Sequence, residues 1–172
     1  MSALTDEIRS KIAKASGLKG GFYERDVAKK ICTFFGASSK DWTQYFNRTR
    51  RTTGGQPDGD LFPKNEMANI WFGSGMGPIE TKYRKEWAFD QLFKNPEGCH
   101  LTKYWLKSNA DTGSDSSIVV FSKAHVTDYI LTVYNEVVTP PVILYRAAET
   151  TLIICTLTNF LQSIWPDPPT IR

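Results

Sequence analysis

The sequence predicts a mixed α/β domain with a central β-sheet flanked by helices. Three observations lead there. Apolar residues recur at helical spacing from Phe22 to Phe35. Several short runs of branched and aromatic residues are bounded by glycine, proline or asparagine, as strands are. In order, the segments read helix, strand, strand, strand, helix, strand, a succession that layers helices on a sheet. At 172 residues, 41% of them hydrophobic and 13% aromatic, the chain can bury one sizeable core. A single domain over residues 1–172 is expected, with its core at about 20–137 and a strand-helix extension at 142–165.

In the first helix Tyr23, Val27, Ala28, Ile31, Phe34 and Phe35 form the apolar side, and Gly36 supplies the stop. Arg25, Asp26, Lys29 and Lys30 fall on the polar side, whereas Glu24 falls between Ile31 and Phe35, inside the apolar face. Trp42 to Arg51 suits a strand and Thr52 to Gly59 a turn-rich loop. Asp60, Leu61 and Phe62 open a second strand that Pro63 limits. Residues 64–78 read as irregular, with Gly73, Gly75 and Gly77 turning the chain into the strand Ile79 to Tyr83. These last two strands are expected to pair antiparallel.

Helical patterning returns at Trp87 to Phe93 and at Leu101 to Asn109, interrupted by the turn Asn95 to Gly98. Ile118 to Phe121 is a short strand of the buried type. Residues 126–137 fit a helix or a strand, and the β-rich run Tyr129 to Tyr134 favours strand. After Pro140 and Pro141, Val142 to Tyr145 and Leu152 to Cys155 read as strands, then Leu157 to Trp165 as a helix ended by Pro166.

The formal charge of +3 is modest but unevenly spread. Arg48, Arg50 and Arg51 precede Asp60, while Lys82, Arg84 and Lys85 follow Glu80, so basic residues flank acidic ones. The arginines suit phosphate contact or, equally, a charged strand edge that resists aggregation. Cys32, Cys99 and Cys155 lack Cys-x-x-Cys spacing, which argues against a disulfide framework or zinc ribbon and for a reducing, intracellular compartment. Met1 to Lys19 has no secretion-signal core, and the longest apolar stretch, Thr151 to Trp165, falls short of the roughly twenty residues that span a bilayer. No membrane segment is expected. His100 and His125 are isolated from other ligand-type residues and read, like the scattered tryptophans, as structural.

The chemistry rests on Asp60, Glu80 and Lys82. In an extended strand Glu80 and Lys82 leave one face while Ile79, Thr81 and Tyr83 leave the other. With Asp60 on a neighbouring strand, two carboxylates and one ammonium would meet. Hard divalent cations take carboxylate oxygens plus water, and an adjacent lysine can orient water or offset charge on a phosphate, a set suited to cutting phosphodiesters. The same Glu-x-Lys spacing also occurs on solvated polar strand faces. Glu24, a carboxylate aimed at a core, needs a cation, donors or the mouth of a site; it meets that need in a metal site or by curling back to solvent in the first helical turn.

Four ordered pieces carry a resemblance. They are Gly20-Gly21-Phe22-Tyr23-Glu24-Arg25-Asp26-Val27-Ala28-Lys29, Phe46-Asn47-Arg48 leading to Thr53-Gly54-Gly55, Gly59-Asp60-Leu61, and Ile79-Glu80-Thr81-Lys82. Over about residues 20–125 the chain resembles phage-type members of the PD-(D/E)XK nuclease superfamily, whose restriction-endonuclease-like fold Holliday junction resolvases and restriction-like endonucleases share. The resemblance implies Asp60 and Glu80 as ligands of Mg²⁺ or Mn²⁺, with the backbone carbonyl of Thr81 as a further ligand and Asp58 as the alternative to Asp60. It implies Glu24 acting through a metal water and Lys82 as the catalytic lysine. Arg48, Arg50 and Arg51 are expected on DNA phosphates. Lys107 stands where related phage sequences tend to carry glutamine, and either contacts a phosphate or is solvated.

The implied activity is metal-dependent DNA endonuclease, structure-selective on branched DNA such as a Holliday junction. A restriction or repair nuclease on linear duplex, or a non-catalytic DNA-binding subunit, are the alternatives. A resolvase makes two symmetric nicks, which implies a homodimer, and the apolar residues of Val142 to Trp165 are the candidate interface.

Overall fold

Tyr23, Val27, Ile31 and Phe35 recur every four residues and are each 3% exposed or less. The first three lie on the buried face of α1, residues 20–34, and Phe35 continues that face in the turn just after it. Gly36 ends it with a left-handed φ of 77°, and the Ala37 amide donates to the Cys32 carbonyl at 2.9 Å to close the last turn. The structure, a computed structural model, describes residues 20–48, 60–72, 79–84, 86–113, 117–123, 127–133, 142–147 and 149–164.

A 3₁₀ turn at Ser39–Asp41 leads into a single helical turn, α2 (Trp42–Tyr45), and then β1 (Phe46–Arg48). The strand expected from Trp42 is therefore replaced at its start by helix. Trp42 and Tyr45, three apart, both pack against the α1 core, which a helical turn allows and an extended chain does not. β2 (Leu61–Pro63) pairs antiparallel with β1 and with β3 (Ile79–Arg84). Between them lies α3 (Glu66–Phe72), where irregular chain was expected. Asn65 caps it, its side-chain oxygen accepting from the Ala68 amide at 2.9 Å.

β3 runs parallel to β4 (Ile118–Lys123), and the crossover carries α4 (Gln91–Lys94) and α5 (His100–Thr112). The helix expected from Trp87 shrinks to α4. The Trp87 indole N–H donates to the Ser122 carbonyl at 2.9 Å and the Phe89 ring packs 6.1 Å from Phe121, tying this stretch to the strand beneath. β5 (Thr127–Val133), β6 (Ile143–Ala147), β7 (Thr150–Thr156) and α6 (Leu157–Ile164) follow.

The seven strands form one sheet in the order β1-β2-β3-β4-β5-β7-β6, mixed because β3 and β4 are parallel while the other neighbours are antiparallel. The segment read as an extension supplies an interior strand, since β7 bonds to β5 on one side and β6 on the other. Both faces of the middle strands are buried. Ile118, Val120, Ile130 and Ile153 meet α1 and α6, while Val119, Phe121, Leu131 and Ile154 meet Leu101 and Trp105 of α5. Most apolar residues of the candidate dimer face are consumed here. Leu152, Ile153, Ile154, Cys155, Leu157, Phe160 and Leu161 are buried in the chain's own core, whereas Ile143 and Leu144 on the edge strand are exposed.

Candidate active site

The register of β2 against β3 sets the site. Leu61 lies opposite Ile79, and the Asp60 amide donates to the Ile79 carbonyl at 3.1 Å, so Asp60 enters β2 beside Glu80. Oδ2 of Asp60 accepts from the amide of Thr81 at 2.7 Å and from its hydroxyl at 3.0 Å. Glu80 and Lys82 share the opposite face of β3 from Ile79 and Thr81. The Lys82 ammonium pairs with Glu80 and lies 3.9 Å from Oδ2 of Asp60, so one cation spans both carboxylates.

Glu24 reaches the same region from α1. The Tyr23 hydroxyl donates to Oδ1 of Asp128 at 3.0 Å and Lys30 pairs with Oδ2, which fixes the rotation of α1 against β5. Burial, reinforced by Asp128, pushes the Tyr23 phenol well above its usual range. The Arg48 guanidinium donates to Oε2 of Glu24 at 2.5 Å. Gly21 leaves it room: a Cβ there would sit 2.8 Å from Nη2 of Arg48.

Burial raises the proton affinity of Glu80, and the charge of Asp60 raises it further, against Lys82 and Lys107. Burial and then Asp60 do the same to Glu24, against Arg48 and Lys82. Both glutamates thus feel Asp60, giving three carboxylates against the close cations Lys82 and Arg48. This acid-rich balance suits a divalent cation. Mg²⁺ is commonly held by one or two carboxylates, with waters and substrate phosphates completing its shell, and Asp60 with Glu80 matches that donor set. Among the described residues no group of three or more His, Cys, Asp or Glu side chains has the geometry of a metal site by itself.

A family model described as "Phage putative PDDEXK endonuclease" matches residues 15–163. The chain belongs to this family. It is a nuclease of the PD-(D/E)XK superfamily, with the α/β fold expected of one, and its family implies DNA as substrate. The match runs beyond residue 125, where the resemblance read from the sequence stopped, and takes in β6, β7 and most of α6. No curated protein and no solved structure matches the chain. Among the described residues of this PD-(D/E)XK nuclease, no helix is long and apolar enough to cross a membrane.

Glu24, Asp60, Thr81, Glu80 and Lys82 are brought into one neighbourhood; the flanking basic residues are more dispersed. Arg48 is committed to Glu24, and Lys107 pairs with Asp111 at 2.6 Å one turn along α5 while its charge reaches Glu80. Arg50, Arg51, Asp58 and His125 lie outside the described residues. Cys32, Cys99 and Cys155 are buried and free of disulfides.

Tyr104 escaped the sequence reading, and Arg84 was named only as a flanking basic residue. Tyr104 of α5 lies with its ring centroid 5.1 Å from the Lys82 ammonium, and Arg84 donates to its hydroxyl. The strand period that joined Glu80 to Lys82 extends to Arg84 on the same face; no local pattern marks Tyr104.

Proposed function

We propose that this nuclease is a metal-dependent DNA endonuclease with Glu24, Asp60, Glu80 and Lys82 as its catalytic residues. The supporting observation is the Lys82 ammonium spanning the Asp60 and Glu80 carboxylates at the junction of β2 and β3. Asp60 and Glu80 hold Mg²⁺ or Mn²⁺, with the Thr81 carbonyl as a further ligand. A cation held there would supply positive charge to offset the scissile phosphate and to acidify water. Thr81 orients Asp60 through two hydrogen bonds. Glu24 orients the attacking water, and Lys82 stabilises the charge that builds on the phosphate. Arg48, Arg50, Arg51 and Lys107 attract flanking phosphates, which adds affinity without sequence readout.

Branched DNA is the substrate we favour, cut by a homodimer, because Holliday junction resolvases share the fold of the superfamily that the sequence resembles. A labelled four-way junction and a linear duplex, each incubated with and without Mg²⁺, test the reading. Metal-dependent nicking of the junction, lost in Glu80→Ala, is expected. Equal cutting of the duplex would point to a restriction or repair nuclease, and binding with no cutting to a non-catalytic subunit.

A further inference from the structure

Arg84 lies two residues beyond Lys82 on β3, so its side chain leaves the same strand face roughly 7 Å further along. The guanidinium sits 5.4 Å from the ring centroids of both Trp87 and Tyr104 and donates to the Tyr104 hydroxyl. Aromatic faces hold a guanidinium in place while leaving its remaining N–H groups available, and a planar fork of donors matches a phosphate. Arg48, Lys82, Lys30 and Lys107 each have a carboxylate within 4.0 Å. Among the described residues Arg84 has none, although Glu86 stands nearby.

Arg84 also lines a cavity of about 410 Å³, with Glu86, Trp87, Gln91 and His100 among its other walls. A larger cavity, of about 640 Å³, lies between α1 and α6, but there Lys30 is already paired with Asp128. The cavity beside β3 therefore combines space, a held cation with no carboxylate within 4.0 Å among the described residues, and continuity with the face that carries Glu80 and Lys82. We propose that it is a second phosphate subsite, in which Arg84 grips the DNA backbone phosphate adjoining the one that is cut. Gln91 and His100 present hydrogen-bonding groups to the sugar or base attached to it. This inference rests on the nuclease reading above and adds to it a fixed point for the strand.

Binding of a linear duplex without divalent metal, followed by fluorescence anisotropy across a salt series, tests the subsite apart from cleavage. Arg84→Gln should bind roughly tenfold more weakly. Its plot of log affinity against log salt should be shallower by about one, equally for duplexes of unrelated sequence. Arg84→Lys should restore the slope, and thermal melting should show both variants folded. Lys94→Gln, at an exposed lysine paired with Asp90, should leave the slope unchanged. An unchanged slope in Arg84→Gln, or weaker binding at the same slope, overturns the subsite. Should the wild type cut DNA while that slope stays put, the subsite alone falls. Should it bind but never cut with Mg²⁺, the endonuclease reading falls and the slope still decides Arg84. No binding by the wild type defeats both.

Discussion

Thr81 gives both its amide and its hydroxyl to one oxygen, Oδ2 of Asp60, at 2.7 and 3.0 Å. The two residues precede and occupy different strands, so the pair pins the carboxylate to β3 as well as to its own chain. Thr81→Val keeps the shape and the amide but loses the hydroxyl. About 1.5 kcal/mol of stability should go with that bond to a charged acceptor. Metal affinity should fall roughly tenfold or more, as when an orienting partner is removed. Calorimetric titration with Mn²⁺ checks this, and an unaltered affinity would remove Thr81 from any positioning role.

Asp60 and Glu80 as ion ligands predict a metal-dependent rise in melting temperature. At a hundred times its Kd, Mg²⁺ should stabilise the fold by about 2.7 kcal/mol, or roughly 5–10 °C for a chain of this size. Scanning fluorimetry should find that rise abolished in Asp60→Asn, whose own melting in the absence of metal should show an intact fold.

Burial and Asp60 hold Glu80 above the ordinary glutamate value of 4.5, and Glu24 likewise. A carboxyl raised in this way favours folding below about pH 4.5, and that contribution is lost as pH climbs through the elevated folded value. Glu80→Gln should therefore melt higher than the wild type at pH 7, the difference closing as pH falls towards 4.5, while cleavage disappears. Wild-type metal affinity should weaken on acidification from a pH above 4.5, because the ion competes with protons held more tightly than usual. Paired melting curves at pH 7 and 4.5 decide the first part; the opposite ordering at pH 7 would refute it.

Removing Arg48 strips Glu24 of its partner next to Asp60. Arg48→Ala should destabilise by about 1–2 kcal/mol. Glu24→Gln in the Arg48→Ala background should recover much of that loss, since the uncompensated charge is gone. Urea denaturation of the two single variants and the double variant gives the coupling. Additive losses would mean that the pair is only incidental.

The elements legible in the sequence were those whose periodicity reports burial. α1 shows a four-residue apolar recurrence, and β3 an alternation that put Glu80 with Lys82. α3 was missed because its apolar residues Met67 and Ile70, though three apart, are exposed, and of residues 66–70 only Ala68 is buried; the Asn65-Glu66 start was a further local signal. Trp42 and Tyr45 have strand propensity, yet tertiary packing folds them into a turn of helix. At the site, Asp60 and Glu80 were legible through strand geometry. The grip of Arg48 on Glu24 and of Tyr104 on Arg84 was not, because each joins side chains at least twenty residues apart that no local pattern connects.

The insertion of β7 between β5 and β6 has a temporal consequence. A growing chain that has already delivered Glu24, Asp60, Glu80 and Lys82 still presents one open hydrogen-bonding edge of β5, and that edge closes only when residues 150–156 leave the ribosome. The scaffold behind the candidate site is thus completed late in synthesis, and a stalled nascent chain would carry these four residues on an unfinished, self-adhesive platform.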